Sequence, residues 1–176
     1  MKYLKRSATI YLLFLVSLIV IGSPLQGQKS LNIYSGLGLP ELFNAGVRYQ
    51  MMQNQAGLGA GALLFSGSES IYTVSADFYH HFGGTSEIST RRPWYWRIGL
   101  NYFHDETKYS IYEYFYLCSG IGREFNLSRR FGLEIDLGGV FQIAYKETVK
   151  IPHTDFLGLD FPVLPGFGVE FFYRIF

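Results

Sequence analysis

The residues Phe131 to Lys146, FGLEIDLGGVFQIAYK, constrain the fold more than any other stretch. Odd positions carry Phe131, Leu133, Ile135, Leu137, Gly139, Phe141, Ile143 and Tyr145. Even positions carry Gly132, Glu134, Asp136, Gly138, Val140, Gln142, Ala144 and Lys146. A β-strand turns alternate side chains to opposite faces, so this is one long strand with an apolar face and a face of polar and small residues. A helix, with its period of 3.6, would scatter Glu134 and Asp136 into the apolar stripe. The run is long for a strand of an ordinary soluble sheet. Its length and alternation suit a tilted strand that crosses a bilayer.

Seven other segments carry strand signals. They are Ser30 to Gly38, Leu42 to Met51, Ala56 to Phe65, Ile71 to Phe82, Trp94 to His104, Ile111 to Phe125 and Val163 to Phe176. Pro40-Glu41, Gln53-Asn54-Gln55, Ser66-Gly67-Ser68 and Asn126 to Arg130 read as turns, and Gly83 to Pro93 as a polar connector. The phase of the Ile111 segment is ambiguous, and a bulge near Gly120 would switch it. Aromatic residues at 18%, with 20 Gly against 6 Pro, fit an all-β chain.

Met1 to about Gly27 reads as a cleaved signal peptide. Lys2, Lys5 and Arg6 are its basic start, Ile10 to Ile21 its apolar run, and Gly22-Ser23-Pro24 the break before cleavage. The alternative, an N-terminal anchor, needs a longer apolar run. Loss of the leader leaves twelve basic against fourteen acidic residues, a net charge of −2, which argues against a nucleic-acid partner. One cysteine, Cys118, allows no internal disulfide and lies far from any lipidation site. Beyond the leader no stretch is apolar for long enough to form a transmembrane helix. A membrane location therefore requires a closed barrel, which leaves no strand edge unpaired in lipid.

Alternation alone leaves open which face points inward. A soluble ligand-carrying barrel turns its apolar face inward, whereas an outer-membrane barrel turns it outward. Lipid is favoured by the polar face, which uses Arg48, Asp77, Arg97, Glu134, Asp136, Glu170 and Arg174 rather than lysine; the guanidinium fork suits an enclosed polar interior. Aromatic residues also fall near strand ends. Tyr49, Trp94, Trp96 and Tyr173 form one expected girdle and Tyr72, Tyr102 and Tyr145 the other. Both termini are then expected on the periplasmic side.

The leader, the eight strands and the aromatic C-terminus Glu170-Phe171-Phe172-Tyr173-Arg174-Ile175-Phe176 resemble the small outer-membrane β-barrel proteins of Gram-negative bacteria, such as the OmpX and OmpA barrels. Tyr112 to Phe125, followed by a polar turn and Gly132-Leu133, is particularly similar to the outer membrane beta-barrel proteins of the Bacteroidota. The resemblance is one of pattern over the mature chain. It implies that Phe176 is the signal read by the barrel assembly machinery. Arg174 departs from the family, which has Tyr or an apolar residue two positions before the end.

Buried charges are tolerated only in pairs. The inward set expected is Asp77, Glu113, Glu134, Asp136 and Glu170 against Arg48, Arg97 and Arg174, with Arg123 a further candidate, forming an ion-pair network that plugs the lumen. His80 and His81 point to opposite faces and do not share a metal. His104 and, near Asp155 and Asp160, His153 read as strand-end and loop residues. There is no His-x-Ser pair, and Cys118 reads as a packed side chain. In the outer loop Glu147 to Pro162, the residues Phe156, Leu157 and Phe161 are candidates for an external contact.

The expectation is an eight-stranded, antiparallel, up-and-down transmembrane β-barrel of residues 28–176 that is not an enzyme and needs no metal or cofactor. Outer-membrane lipid and lipopolysaccharide surround it, and its role is structural or one of surface contact. A lipid A-modifying enzyme, a soluble lipocalin-like carrier and a narrow porin are the alternatives.

Overall fold

The computed structural model describes residues 29–63, 70–151 and 162–175. The leader and the residues Phe156, Leu157, Phe161 and Phe176 lie outside them. The described chain forms eight strands: β1 Lys29–Leu39, β2 Leu42–Met51, β3 Asn54–Ala62, β4 Ser70–Phe82, β5 Trp94–Glu106, β6 Ser110–Asn126, β7 Phe131–Val149 and β8 Val163–Arg174. Each pairs antiparallel with the next, and β8 closes onto β1. This is an up-and-down barrel, so Lys29 and Arg174 lie on one rim, the terminus rim, while the β1–β2, β5–β6 and β7–β8 connections lie at the other.

Side-chain alternation sorts the residues into two faces. Asn32, Arg48, Gln55, Thr73, Tyr95 and Glu134 are almost wholly buried inside, while Leu58, Leu100 and Leu137 stand outward and exposed. The inward-apolar arrangement of a lipocalin-like carrier is not found. Inward glycines give the large polar side chains their room. A Cβ on Gly59 would sit 2.3 Å from the Tyr34 hydroxyl, and one on Gly99 would sit 2.1 Å from Asp77 Oδ1.

Two features depart from the sequence expectations. The bulge lies not near Gly120, which pairs in register with Gly138, but on β7. Phe115 pairs with Ala144 and Tyr116 with Gln142, leaving Ile143 as the extra residue. One inserted residue reverses the facing of everything after it. Tyr145 therefore turns to the inner side, its ring 5.0 Å from that of Tyr114 and 6.4 Å from that of Tyr112, instead of joining the outward girdle. Lys146 turns outward.

Wall height is the second departure. β7 last pairs with β8 at Phe141–Val163 but stays paired with β6 up to Ser110–Val149. The β6–β7 hairpin thus rises roughly 25 Å of strand length past the end of β8. At the terminus rim the β2–β3 connection is tight, with Met51 paired to Asn54. Its Met52 takes a left-handed φ of 57°, a conformation costly for a residue with a Cβ.

Candidate functional site: a charged lumen

Three carboxylates lie side by side across the sheet. Glu124 on β6 pairs with Glu134 on β7, which pairs with Glu170 on β8. Like charges directly opposite one another are destabilising, so the row demands cations, and three arginines reach it, Arg48, Arg91 and Arg174. Arg48 on β2 forms ion pairs with both Glu134 and Glu170. Its guanidinium lies 4.0 Å from the ring centre of Tyr34 and 4.3 Å from that of Tyr79, a stacking geometry that holds a desolvated cation. Arg91 forms an ion pair with Glu124 and donates to Gln50 Oε1 at 2.6 Å.

A second centre surrounds Arg97 on β5. Its Nε donates to Asp77 Oδ1 at 2.9 Å, its Nη2 forms an ion pair with Glu41, and its Nη1 lies 3.6 Å from Asp136 Oδ1. Tyr95 donates its hydroxyl to Asp136 Oδ2 at 3.4 Å. Nearer the terminus rim, Arg174 donates to Glu124 Oε1 at 2.6 Å and to the Arg129 carbonyl at 2.9 Å. Across these centres four arginines meet six carboxylates, all but Arg174 buried. Such close pairing is the condition under which charges tolerate burial.

The structure thus brings together Arg48, Asp77, Arg97, Glu134, Asp136 and Glu170. Arg174 also points inward, but belongs to the rim cluster. Glu113 does not join them and is a correction. It stands on the outward face, where it accepts from Lys146 Nζ and from the Tyr102 hydroxyl, each at 2.8 Å. Arg123 is outward too, 5.2 Å from the Trp94 ring centre and 5.1 Å from that of Phe125. The reason is common to both: β6 points Tyr114, Tyr116 and Cys118 inward, so its odd residues face out.

Sequence reasoning missed Glu41, Arg91 and Glu124. Glu41 and Arg91 come from connections, where strand alternation predicts nothing. The β1–β2 turn folds Glu41 into the barrel, its carbonyl accepting from Thr73 Oγ1 at 3.1 Å. The β4–β5 connector folds back beneath the mouth, with Gln53 Nε2 donating to the Thr90 carbonyl and Arg92 N to Gln53 Oε1, both at 3.0 Å. Glu124 did carry a signal, since fixing the phase of β6 by its tyrosines would have turned it inward.

No family model matches the chain, and no curated protein matches it. Among solved structures it is similar to the crystal structure of Acinetobacter baumannii CarO. The two share 8% identity at a TM-score of 0.46, over 86% of this chain and 99% of that one. The finer resemblance to Bacteroidota-type barrels has no matching family model behind it.

The outward face is the lumen's inverse. Along β6 it runs from Glu113 to Arg123 through Phe115, Leu117, Ser119 and Ile121. At ~3.3 Å per residue and a tilt of ~40°, this charge-free interval is about 25 Å tall. Trp94, Trp96, Tyr49 and Tyr173 stand outward near the terminus rim and Tyr72 near the other; the Trp96 indole donates to Ser119 Oγ at 3.2 Å. Above the belt the charges are paired: Lys150 Nζ donates to Glu106 Oε1 at 2.6 Å and holds that carboxyl below its ordinary range.

Proposed function

We propose that the protein is an integral outer-membrane β-barrel without catalytic activity, whose lumen is plugged by its own ion pairs and whose role is structural or one of surface contact. The observation that carries this reading is the charge-free outward belt of about 25 Å, the height of the apolar band of such barrels. In water that belt would be a very large exposed apolar surface. In this reading both termini lie in the periplasm, since an even strand number puts them on one side of the membrane. The plug is supported by Arg48 and Arg97, which link β2 and β5 to carboxylates on β7 and β8 across the interior. Absence of catalysis is supported by the described histidines. His80 is engaged by Asn54 at 2.8 Å, His81 by the Arg92 carbonyl at 2.9 Å, and His104 by the rings of Tyr72 and Tyr102.

The test is cell fractionation followed by a detergent gel run with and without boiling. The protein is expected in the outer-membrane fraction, with faster migration when unboiled. A soluble, heat-insensitive protein would refute the reading.

A further inference from the structure

The terminus rim opens into a vestibule of about 590 Å³, within the size range of small-molecule sites. Its wall carries four arginines, Arg91, Arg129, Arg130 and Arg174, and no Asp or Glu among the described residues. Behind the wall Arg91 and Arg174 share Glu124, and Arg91 Nη2 also lies 3.9 Å from Glu134 Oε1. Among the described residues Arg129 and Arg130 form no ion pair; Arg130 Nη1 donates weakly to the Tyr173 hydroxyl at 3.5 Å. The cationic surplus is local. At the opposite rim Lys146 and Lys150 are matched by Glu113 and Glu106.

Like charges gathered around one concavity repel, and an anion relieves that repulsion. Guanidinium forks fit carboxylate and phosphate groups bidentately. Arg174 is already oriented by Glu124 and by the Arg129 carbonyl, so less side-chain freedom is lost on binding. Deeper in the vestibule Arg91 is held by Glu124 and Gln50. Ile88 and Ile175 supply apolar wall.

We propose that this vestibule binds a small multivalent anion bearing carboxylate or phosphate groups. The inference goes beyond the membrane reading, since the site is defined by the barrel itself.

The experiment is calorimetric titration of the refolded chain in zwitterionic detergent with citrate and with pyrophosphate, at constant ionic strength with chloride as control. Saturable binding near one site per barrel is expected, weakened about tenfold or more in R129A/R130A, with R129K/R130K falling between because lysine lacks the fork. R129Q/R130Q provides a second charge-removing variant should the first refold poorly. No saturable heat from either anion, or equal affinity in the charge-removing variants, would overturn the proposal.

Repeating the titration in nanodiscs separates two sources of the anion. Weaker citrate binding in phosphatidylglycerol than in phosphatidylcholine discs supports the site with a lipid headgroup as its occupant. Equal binding supports it with a soluble anion. The unboiled gel shift is followed on the same samples, so lost anion binding with an intact shift sinks this inference alone.

Discussion

The barrel below the β7 bulge and the wall above it are built from the same two strands, β6 and β7, on opposite terms. Below it, alternation is unbroken and each inward charge is tied to another strand, as Arg48 ties β2 to β7 and β8. Above it, the inner face is aromatic: the rings of Tyr114 and Tyr116 stack at 5.6 Å, and Phe103 meets Tyr114 edge-on at 6.0 Å. On the outward face there, charges stand in exposed local pairs such as Lys146–Glu113, while Glu147 on the inner side accepts from Ser110 Oγ and the Tyr145 hydroxyl. The same kind of ion pair therefore carries very different weight in the two regions. A buried charge left alone is costly, whereas an exposed pair is worth little.

Arg48→Ala is the strongest test of that contrast. It strands Glu134 and Glu170 beside Glu124 without their shared cation, and the expected loss is about 3–5 kcal/mol, read as a lower denaturant midpoint in detergent or lipid. An unchanged midpoint would mean that the carboxylate row does not depend on Arg48. Gly99→Ala comes next, because its Cβ would fall 2.1 Å from Asp77 Oδ1. Overpacking of this kind costs about 1–3 kcal/mol, while Ala60→Val on the outward face is expected to shift the midpoint far less. Equal shifts from the two would erase the distinction between a tightly filled lumen and a permissive outer face. Lys146→Ala is the mildest, at roughly 0–1 kcal/mol and reduced further by salt. A loss as large as that of Arg48→Ala would show the upper pairs to be as isolated from water as the lower ones.

Much of the fold was legible because a closed barrel imposes one simple rule on every strand. β2 begins and ends where its alternation does, and β7 was recognisable from Phe131 onward. Legibility failed where that rule stops applying. Ile143 is an ordinary apolar residue in an apolar row, and nothing in its identity marks it as the inserted one, so unbroken alternation puts Tyr145 on the wrong face. Glu113 reads as inward from sequence because tyrosine suits either face, being apolar in body and polar at its tip, which leaves the phase of β6 open. Glu41 and Arg91 enter the lumen from a turn and a connector, and only tertiary folding could bring them there.

Trp94 and Trp96 give the most direct test of the central claim, that the barrel turns its apolar face to lipid. They are the chain's only two tryptophans, and both stand outward near one rim, about 40% exposed. The measurement is their fluorescence after refolding into bilayers whose lipids carry bromine at defined chain depths. Strong quenching by bromine placed near the headgroups, fading as it moves toward the chain ends, is the result expected. Emission unaffected by bromine at any depth would contradict the claim and leave a barrel that keeps its belt out of the bilayer.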